Sequence, residues 1–403
     1  MPEPRPSAAR LPRTVVVVGL ASLFNDMASE IVVPLIPILL ATALGAGPVA
    51  LGLVEGVADA VASVLKLWSG RFSDGLGGRR KGLTVGGYAL SNLARPLLAV
   101  AGSWPVVLAL RGVDRMGKGL RSAPRDALVT DATPPEIRGH AFGFHRALDN
   151  AGAVAGSLIA AAVLAWSGVS VTQMILLSAI PGAIAVLVLA AGIREAPRPP
   201  GPRPPLPRLA WSLLPSGMRR YLGVMALFTL ARASETFILL RGHELGVGTV
   251  ELLLLWAGLS CAKAATGVWG GKVSDRLGRG QVALVGWGGF ALSFLLFGQA
   301  DSHVLLWAVA VPYGLVTGFA EGAERAIVGD LAGPQERGTA FGWYHLVAGV
   351  AAIPSGLMFG LLWHYHGAPA AFTTAAGVAA LAALGLRAWA WPAQRPRHGT
   401  TAC

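Results

Sequence analysis

Apolar residues form long runs along this chain, and short polar segments separate them. A helix needs about 20 apolar residues to cross the core of a bilayer, and twelve runs approach that length. We number them spans 1 to 12: residues 14–42, 48–73, 82–102, 105–130, 138–166, 170–193, 220–241, 248–273, 281–299, 303–329, 338–363 and 369–391. The pattern predicts a multi-pass membrane protein with twelve membrane-spanning helices.

Two polar phrases between the runs occur once in each half of the chain. The first reads GRFSDGLGGR from Gly70 and GKVSDRLGR from Gly271. The second reads DATPPEIRGHAFG from Asp131 and DLAGPQERGTAFG from Asp330. The repeats indicate two related halves of six spans each. Duplicated membrane halves commonly meet at a central binding site, which favours a transporter.

Composition agrees with the predicted spans, and the placement of charge orients them. Hydrophobic residues make up 54% of the 403 residues and charged residues 13%, whereas a soluble domain carries about 25% charged residues. The net charge is +12. Lys and Arg cluster in both tails and after spans 2, 6 and 8, but the loops 43–47, 103–104 and 167–169 lack them. This asymmetry predicts that both termini are cytoplasmic, and it argues against a nucleic-acid partner.

A proline- and arginine-rich segment, residues 196–215, marks the boundary between the halves, because a run of prolines cannot continue a helix. We therefore predict five regions: a cytoplasmic tail (1–13), an N-terminal six-helix bundle (14–193), a cytoplasmic linker (194–219), a C-terminal six-helix bundle (220–391) and a cytoplasmic tail (392–403). The N-terminal residues lack the features of a cleaved signal peptide, so we expect span 1 in the mature protein.

The phrase from Gly70 to Lys81 resembles the signature that the major facilitator superfamily carries between helices 2 and 3. Two further phrases, DMASE from Asp26 and GKGLRSAPRDAL from Gly117, resemble a largely uncharacterised prokaryotic branch of that family. The resemblance implies an all-α membrane protein with twelve transmembrane helices. They would form two pseudo-symmetric six-helix bundles around a central cavity, usually driven by a proton gradient. Span 5 lacks the Gly-Pro element that drug-exporting members often carry.

Four acidic residues inside the predicted spans are candidates for proton coupling: Asp26, Glu30, Asp59 and Asp149. A charge near the bilayer centre is costly, so each of them is a functional candidate. Asp26 and Glu30 are four residues apart and share a helix face. The two carboxylates therefore do not readily ionise together, and one can hold a proton. Asp26 lies about 18 Å into span 1 and is our first choice for proton carrier. The alternative is that these groups only hydrogen-bond neighbouring helices.

Further polar residues of the spans are candidates for the substrate cavity: Asn25, Lys66, Arg111, Arg115, His145, Arg146, Arg232, Glu235 and Lys263. Span 4 is the most unusual, because five charges fall within eleven residues. The family resemblance places a functional arginine in this span, and Arg111 or Arg115 fits. We expect Asp114 to pair with Arg111 and Lys118 within span 4, Arg115 to pair with Asp149, and Arg232 to pair with Glu235. Pairing of Lys263 with Glu235 is an alternative. A gating or structural network is the alternative role for these charges.

The repeated loop phrase is expected to act as a gate. The candidate gating residues are Gly70, Asp74, Gly77, Arg79, Asp275, Gly278 and Arg279, with Glu321 and Arg325 near the end of span 10. The resemblance gives Asp74 a role in bridging to the other half when the cytoplasmic side is closed. Glycines at 70 and 77 permit a close helix approach and a turn. Glu321 and Arg325 are spaced for an ion pair within one helix.

We expect a secondary transporter of the plasma membrane, in the first place a proton-coupled antiporter that exports a small drug- or metabolite-like molecule. One alternative is a proton symporter that imports an anionic metabolite, supported by Arg111, Arg115, Lys118 and Lys263. Another is an exporter of metal or inorganic ions. The segment 112–119 resembles a phosphate loop but lacks its Ser or Thr, so we expect the proton gradient rather than ATP as energy source.

No arrangement of nucleophile and base supports an enzyme, and no cluster has the spacing of metal ligands. We therefore expect neither enzymatic activity, nor a cofactor, nor a resident metal. The expected partners are the lipid bilayer, a small-molecule substrate and protons, and we expect a monomer.

Overall fold

The computed structural model describes residues 11–75, 80–134, 138–193, 211–331 and 337–390, and within these residues it contains helices and no strand. The helices are α1 (Arg13–Val32), α2 (Pro48–Gly75), α3 (Lys81–Leu97), α4 (Trp104–Ala132), α5 (Arg138–Trp166), α6 (Val171–Leu177), α7 (Ala179–Gly192), α8 (Ser216–Ala231), α9 (Thr236–Glu244), α10 (Thr249–Leu277), α11 (Arg279–Gly298), α12 (His303–Leu331) and α13 (Arg337–Gly385). Short 3₁₀ and π turns continue α1 as far as Ala43. The predicted all-helical class is confirmed.

Nine helical segments of the described chain are long and apolar enough to cross a membrane. One of them, α13, covers both span 11 and span 12. It consists of two helices joined at a kink, because the backbone leaves the helical conformation at Gly367, where φ is 82°. Spans 3 and 4 are also helical, but α3 has only 17 residues and α4 carries many charges. The multi-pass character is therefore clear, while the count of twelve stays a prediction.

The described residues group into two compact units, each with its own packing. Unit 1 draws on Met1–Ile36 and Val64–Pro205. In this unit α1 packs closely on α5, and α3 packs on α4. A Cβ added to Gly152 of α5 would lie 2.2 Å from the carbonyl oxygen of Leu23, and one on Gly156 would lie 2.4 Å from that of Met27. Only glycine permits this approach of the α1 and α5 backbones.

Unit 2 draws on Pro37–Ser63 and Leu206–Cys403. Its principal packing pairs are α10 with α12, α8 with α13 and α11 with α12. The first part of α2 also packs on α13, and a Cβ added to Gly52 would lie 2.0 Å from the Gly356 carbonyl oxygen. A cluster of buried aromatic residues fills the core of this unit and includes Phe228, Trp287, Phe290, Phe294, Tyr313, Phe359 and Phe372.

Span 7 is not the continuous helix that its apolar run predicts. The helix stops after Ala231, resumes at Thr236 and leaves the segment Arg232-Ala-Ser-Glu235 non-helical. Ser234 contributes to the break, because its Oγ lies within hydrogen-bonding distance of the Thr236 backbone N–H and hydroxyl. Such local hydrogen bonds compete with the helical pattern. The break places two charged residues on an unwound segment in the middle of span 7.

Candidate functional site

Asp114 of α4 lies at the centre of a buried ion network in unit 1. Arg95 of α3 donates from Nε to Asp114 Oδ1 at 3.0 Å, and Arg111 donates from Nη1 to Asp114 Oδ2 at 3.0 Å. Arg95 is 3% exposed, and the other two side chains are 1% exposed. A buried carboxylate with charged donors on both oxygens satisfies its hydrogen-bonding capacity, and this one joins α3 to α4.

Arg95 also connects this network to α1. Its Nη1 donates to the backbone oxygen and the Oδ1 of Asn25, at 3.1 and 3.2 Å, and to Asn92 Oδ1 at 3.0 Å. Asn25 in turn donates from Nδ2 to Asp26 Oδ1 at 2.9 Å. Asp26 is half-buried, and among the described residues its carboxylate has no ion pair. The predicted proton carrier therefore lies at the end of a polar chain and receives a neutral hydrogen bond.

A second polar chain crosses α1 between α5 and α3. His145 Nε2 lies 2.9 Å from Ser22 Oγ, which lies 2.9 Å from Tyr88 OH. His145 Nδ1 lies 3.6 Å from Asp149 Oδ2, one turn further along α5. Asp149 Oδ1 is buried and has no hydrogen-bond partner among the described residues. The observed neighbour of Asp149 is thus the His145 imidazole, four positions earlier on the same helix, and not the predicted Arg115.

Two arginines in the second half of α4 are compensated by neighbours. Arg121 donates from Nη1 to Ser91 Oγ at 2.7 Å, and its guanidinium lies 4.5 Å from the centre of the Tyr88 ring. Arg125 pairs with the adjacent Asp126 at 3.0 Å. Hydrogen bonds and an aromatic face both lower the cost of burying a guanidinium. These two cations therefore have structural partners.

Arg115 and Lys118 of α4 differ from the other cations. Neither forms an ion pair or a side-chain hydrogen bond with any described residue, and the Nε of Arg115 is buried without a partner. Lys118 is exposed. Its strongest electrostatic neighbour is Arg115, one turn away, and Asp26 is the acidic group that acts on it. Unit 1 therefore holds two cations of α4 without an ion pair to a described residue, and the charge of Asp26 acts on one of them, Lys118.

In unit 2, Glu324 of α12 is enclosed by donors. Arg232 donates to Glu324 Oε2 at 3.4 Å, and Trp287 of α11 donates from Nε1 to Oε1 at 2.7 Å. The Tyr221 hydroxyl donates to the backbone oxygen of Glu324 at 3.0 Å. Glu324 is 3% exposed. This cluster joins the unwound segment of span 7 to two other helices.

The other charge of the unwound segment, Glu235, has its own cation. Its carboxylate forms a close ion pair with Lys263 of α10 and accepts a hydrogen bond from Tyr313 OH at 3.0 Å. The predicted pair of Arg232 with Glu235 is wrong. The break in the helix removes the helical spacing on which that pairing relied, and each residue finds a partner on another helix.

The comparisons with known proteins decide the family. The profile of the Major Facilitator Superfamily matches residues 18–240 and 221–402. The chain belongs to this superfamily. It is 31% identical over 362 residues to an uncharacterised transporter of the superfamily from Methanocaldococcus jannaschii, across 88% of this chain and 89% of that protein. A multidrug resistance protein, MdtH of Cronobacter sakazakii, is 34% identical over 137 residues, which is 34% of this chain and 33% of that protein.

A solved structure supports the superfamily fold over nearly the whole chain. The chain aligns with a POT family transporter, crystallised in complex with 5-aminolevulinic acid, with a TM-score of 0.77 and 12% identity. The alignment covers 94% of this chain and 96% of that one. The protein is thus a multi-pass membrane transporter of the superfamily, which is a family of transporters rather than enzymes.

The superfamily's loop phrase is only partly within the described residues. Gly77 and Arg79 lie outside them, and for Gly70, Asp74 and Asp275 only the helical backbone is described. In the second copy, Gly278 adopts φ of 98° between α10 and α11, a conformation that favours glycine. Arg279 pairs with Asp330 at 2.5 Å and donates to the Ala326 carbonyl at 2.9 Å. Arg279 therefore joins the start of α11 to the end of α12.

The remaining site residues that the sequence predicted are distributed over both units. Glu321 and Arg325 form the predicted pair within α12. Glu30 and Lys66 are half-buried, whereas Asp59 and Arg146 are exposed. No group of three or more His, Cys, Asp or Glu among the described residues is arranged to hold a metal ion. The network of Asp114 does not include Asp59 or Arg146, and their roles stay predictions.

Sequence reasoning missed the polar face of α3. Tyr88, Asn92 and Arg95 follow each other at one-turn intervals and are all buried. Each contacts α1 or α4 through the hydrogen bonds given above. Polar residues at positions i, i+4 and i+7 of an apolar span share one helix face, and this spacing was the available signal.

Proposed function

We propose that the protein is a proton-coupled secondary transporter of the plasma membrane, acting as a monomer by alternating access. The proposed arrangement has twelve spans in two six-helix bundles with both termini in the cytoplasm. No cofactor and no ATP take part, and the proton gradient supplies the energy. In the first place we propose antiport, in which protons enter while a small molecule leaves the cell.

The position of Asp26 carries this proposal. The carboxylate lies in the middle of α1, is half-buried and is bonded by the amide of Asn25 rather than by a cation. Asp114, by contrast, is held by Arg95 and Arg111. Protonating Asp114 would leave two arginines buried without their acid, whereas protonating Asp26 breaks no ion pair with a described residue. Of these two carboxyls, Asp26 is therefore the one that can gain and lose a proton during a cycle at the smaller cost.

In the proposed antiport cycle, Asp26 takes up a proton from the outside and weakens the binding of the departing substrate. Release of that proton on the inside restores substrate binding. The partial similarity to a multidrug resistance protein supports export. It covers about a third of each chain, so the direction rests on the experiment below.

Proton symport of an anion into the cell is the second candidate, and a specific observation favours it. Arg115 and Lys118 form no ion pair with a described residue, and the charge of Asp26 acts on Lys118. Export of metal or inorganic ions, the third possibility raised by the sequence, has no corresponding feature among the described residues.

The test is a pH-sensitive dye in energised inside-out vesicles that contain the transporter. A panel of organic anions, organic cations, drugs and metal ions is added to wild type, to Asp26→Asn and to Asp301→Asn. Asp301 is an exposed acid between α11 and α12, so its substitution controls for loss of a carboxylate. We expect one compound class to dissipate the gradient with wild type and Asp301→Asn but not with Asp26→Asn. Full coupling in Asp26→Asn would contradict the assigned role.

A further inference from the structure

The charged side chains of α4 divide into a satisfied group, which has ion-pair, hydrogen-bond or aromatic partners among the described residues, and an unsatisfied group, which has none. Asp114 is the acid of this buried stretch, and Arg95 and Arg111 occupy both of its oxygens. Arg121 has Ser91 and the Tyr88 ring. No acid remains on this part of α4 for the other two cations. Arg115 and Lys118 therefore differ from their neighbours in partners, although all belong to one helix.

The two unsatisfied cations lie together near the middle of the helix. They are three residues apart and therefore on one face of α4. At 1.5 Å per residue they lie about 16 and 21 Å from Trp104 in a helix of 29 residues. Lys66 and Arg121 add further positive charge near Lys118. Like charges held this close inside a membrane helix are unfavourable unless an anion joins them.

The exposed Lys118 and the orphaned nitrogen of Arg115 are suited to bind such an anion. A guanidinium offers paired donors to the two oxygens of a carboxylate or phosphate, and an ammonium adds a compact charge. We propose that Arg115 and Lys118 bind a carboxylate or phosphate group of the transported molecule, and that Asp26 sets the strength of this binding. The inference rests on the proposed proton-coupled transport and names its substrate class, organic anions.

Asp26 lies on α1, which contacts α4, and its charge acts on Lys118, so Asp26 competes with the substrate for this cation. The ionised carboxylate offsets part of the positive charge at Lys118, so the anion binds less tightly. A proton on Asp26 removes this competition, so anion and proton bind together. This sign is that of symport, the second candidate of the previous section.

Other charged groups around Asp26 belong to the helices packed on α1 and could contribute to a pH effect. On α5 they are His145, Arg146 and Asp149; on α4, Arg115, Lys118, Arg121 and Arg125; on α3, Arg95; and on α2, Lys66. α7 has none. The Asp26→Asn variant separates the contribution of Asp26 from those of these groups, because it leaves them in place.

The experiment measures equilibrium binding to the purified full chain in detergent, without a gradient. The unfolding temperature is followed while succinate, citrate, benzoate or inorganic phosphate is titrated at constant ionic strength. We expect saturable stabilisation by at least one probe. Loss of a charge-assisted contact should raise the half-saturating concentration about tenfold in Arg115→Gln and in Lys118→Gln. Lys118→Arg, which keeps the charge, and Arg219→Gln, which removes an exposed cation of α8, should stay within about twofold of wild type.

The same titration is repeated between pH 5.5 and 8. Wild type should bind the anion more tightly at low pH, whereas Asp26→Asn should bind it tightly at both ends of this pH range. Absence of saturable stabilisation by every probe, or equal binding by wild type and Lys118→Gln, would overturn the anion site. If a cationic substrate then dissipated the gradient in vesicles, proton antiport would stand without it. If anions bind as described but Asp26→Asn still couples fully, the anion site stands and the proton carrier is another residue.

Discussion

Units 1 and 2 compensate their intramembrane charges differently. In unit 2, Arg232 has Glu324 and Lys263 has Glu235, and each acid has an aromatic donor as well. Among the described residues of unit 1, one carboxylate takes two arginines, while Lys118 has no partner. Pairing removes most of the cost of a charge in a membrane, so an unpaired one needs another reason to be there. We therefore propose that unit 1 carries the substrate and proton chemistry and that the pairs of unit 2 have a structural role.

The largest effect on folding stability is expected when the ion network around Asp114 in unit 1 is broken. Asp114→Asn leaves Arg95 and Arg111 without their acid at 1% to 3% exposure. Removing one partner of a buried ion pair typically costs about 3–5 kcal/mol of folding free energy. We expect a much lower unfolding temperature in detergent and little folded protein. Asp126→Asn, at an exposed pair on the same helix, is the control and should change stability by less than about 1 kcal/mol. Similar stability of both variants would mean that Asp114 is not structural.

A pair of lysine substitutions tests the comparison itself. Lys263→Gln leaves Glu235 with only the Tyr313 hydroxyl and should lower the stability of the unliganded protein by about 1–3 kcal/mol. Lys118→Gln removes repulsion from Arg115 and should leave stability unchanged or slightly raised. Unfolding temperatures without added anion provide the measurement. If Lys118→Gln were the more destabilising of the two, the proposed division between the units would be wrong.

The smallest effect is expected at Ser22, which connects His145 to Tyr88. Ser22→Ala removes both hydrogen bonds and should cost about 1 kcal/mol, the usual net value of a buried hydrogen bond. Proton-coupled transport should persist, because the bond between Asn25 and Asp26 is untouched. Ser167→Ala, at an exposed hydroxyl after α5, is the matched control and should leave the unfolding temperature unchanged. Loss of coupling in Ser22→Ala would place the proton path along this chain instead.

The sequence predicted the positions of the helices better than the contacts between them. Apolar length alone predicted the helical regions, and the repeat of the loop phrase indicated the superfamily. Local spacing predicted the pairs Arg111–Asp114 and Glu321–Arg325, both within one helix. It failed for Asp114 with Lys118 and for Arg232 with Glu235. The alternative pairing of Lys263 with Glu235, on another helix, is confirmed.

Arg95 is a second case in which the sequence did not identify a partner on another helix. The sequence analysis did not single out Arg95, and nothing in the local sequence names Asp114, nineteen residues away, as its partner. Interhelical pairs depend on how helices rotate against one another, and a hydropathy pattern does not specify that rotation. The break in span 7 was missed for a related reason, because its flanking residues are as apolar as those of a continuous helix.

The glycines of α5 have a consequence for motion. Gly152 and Gly156 bring the backbone of α5 against the carbonyls of Leu23 and Met27, with no side chain between them that could change rotamer. Two backbones in such contact cannot slide without forcing Cα atoms over carbonyl oxygens. α1 and α5 should therefore travel as one rigid body through a transport cycle. The distance between Asp26 and Asp149 would then stay constant while the surroundings of both carboxylates change.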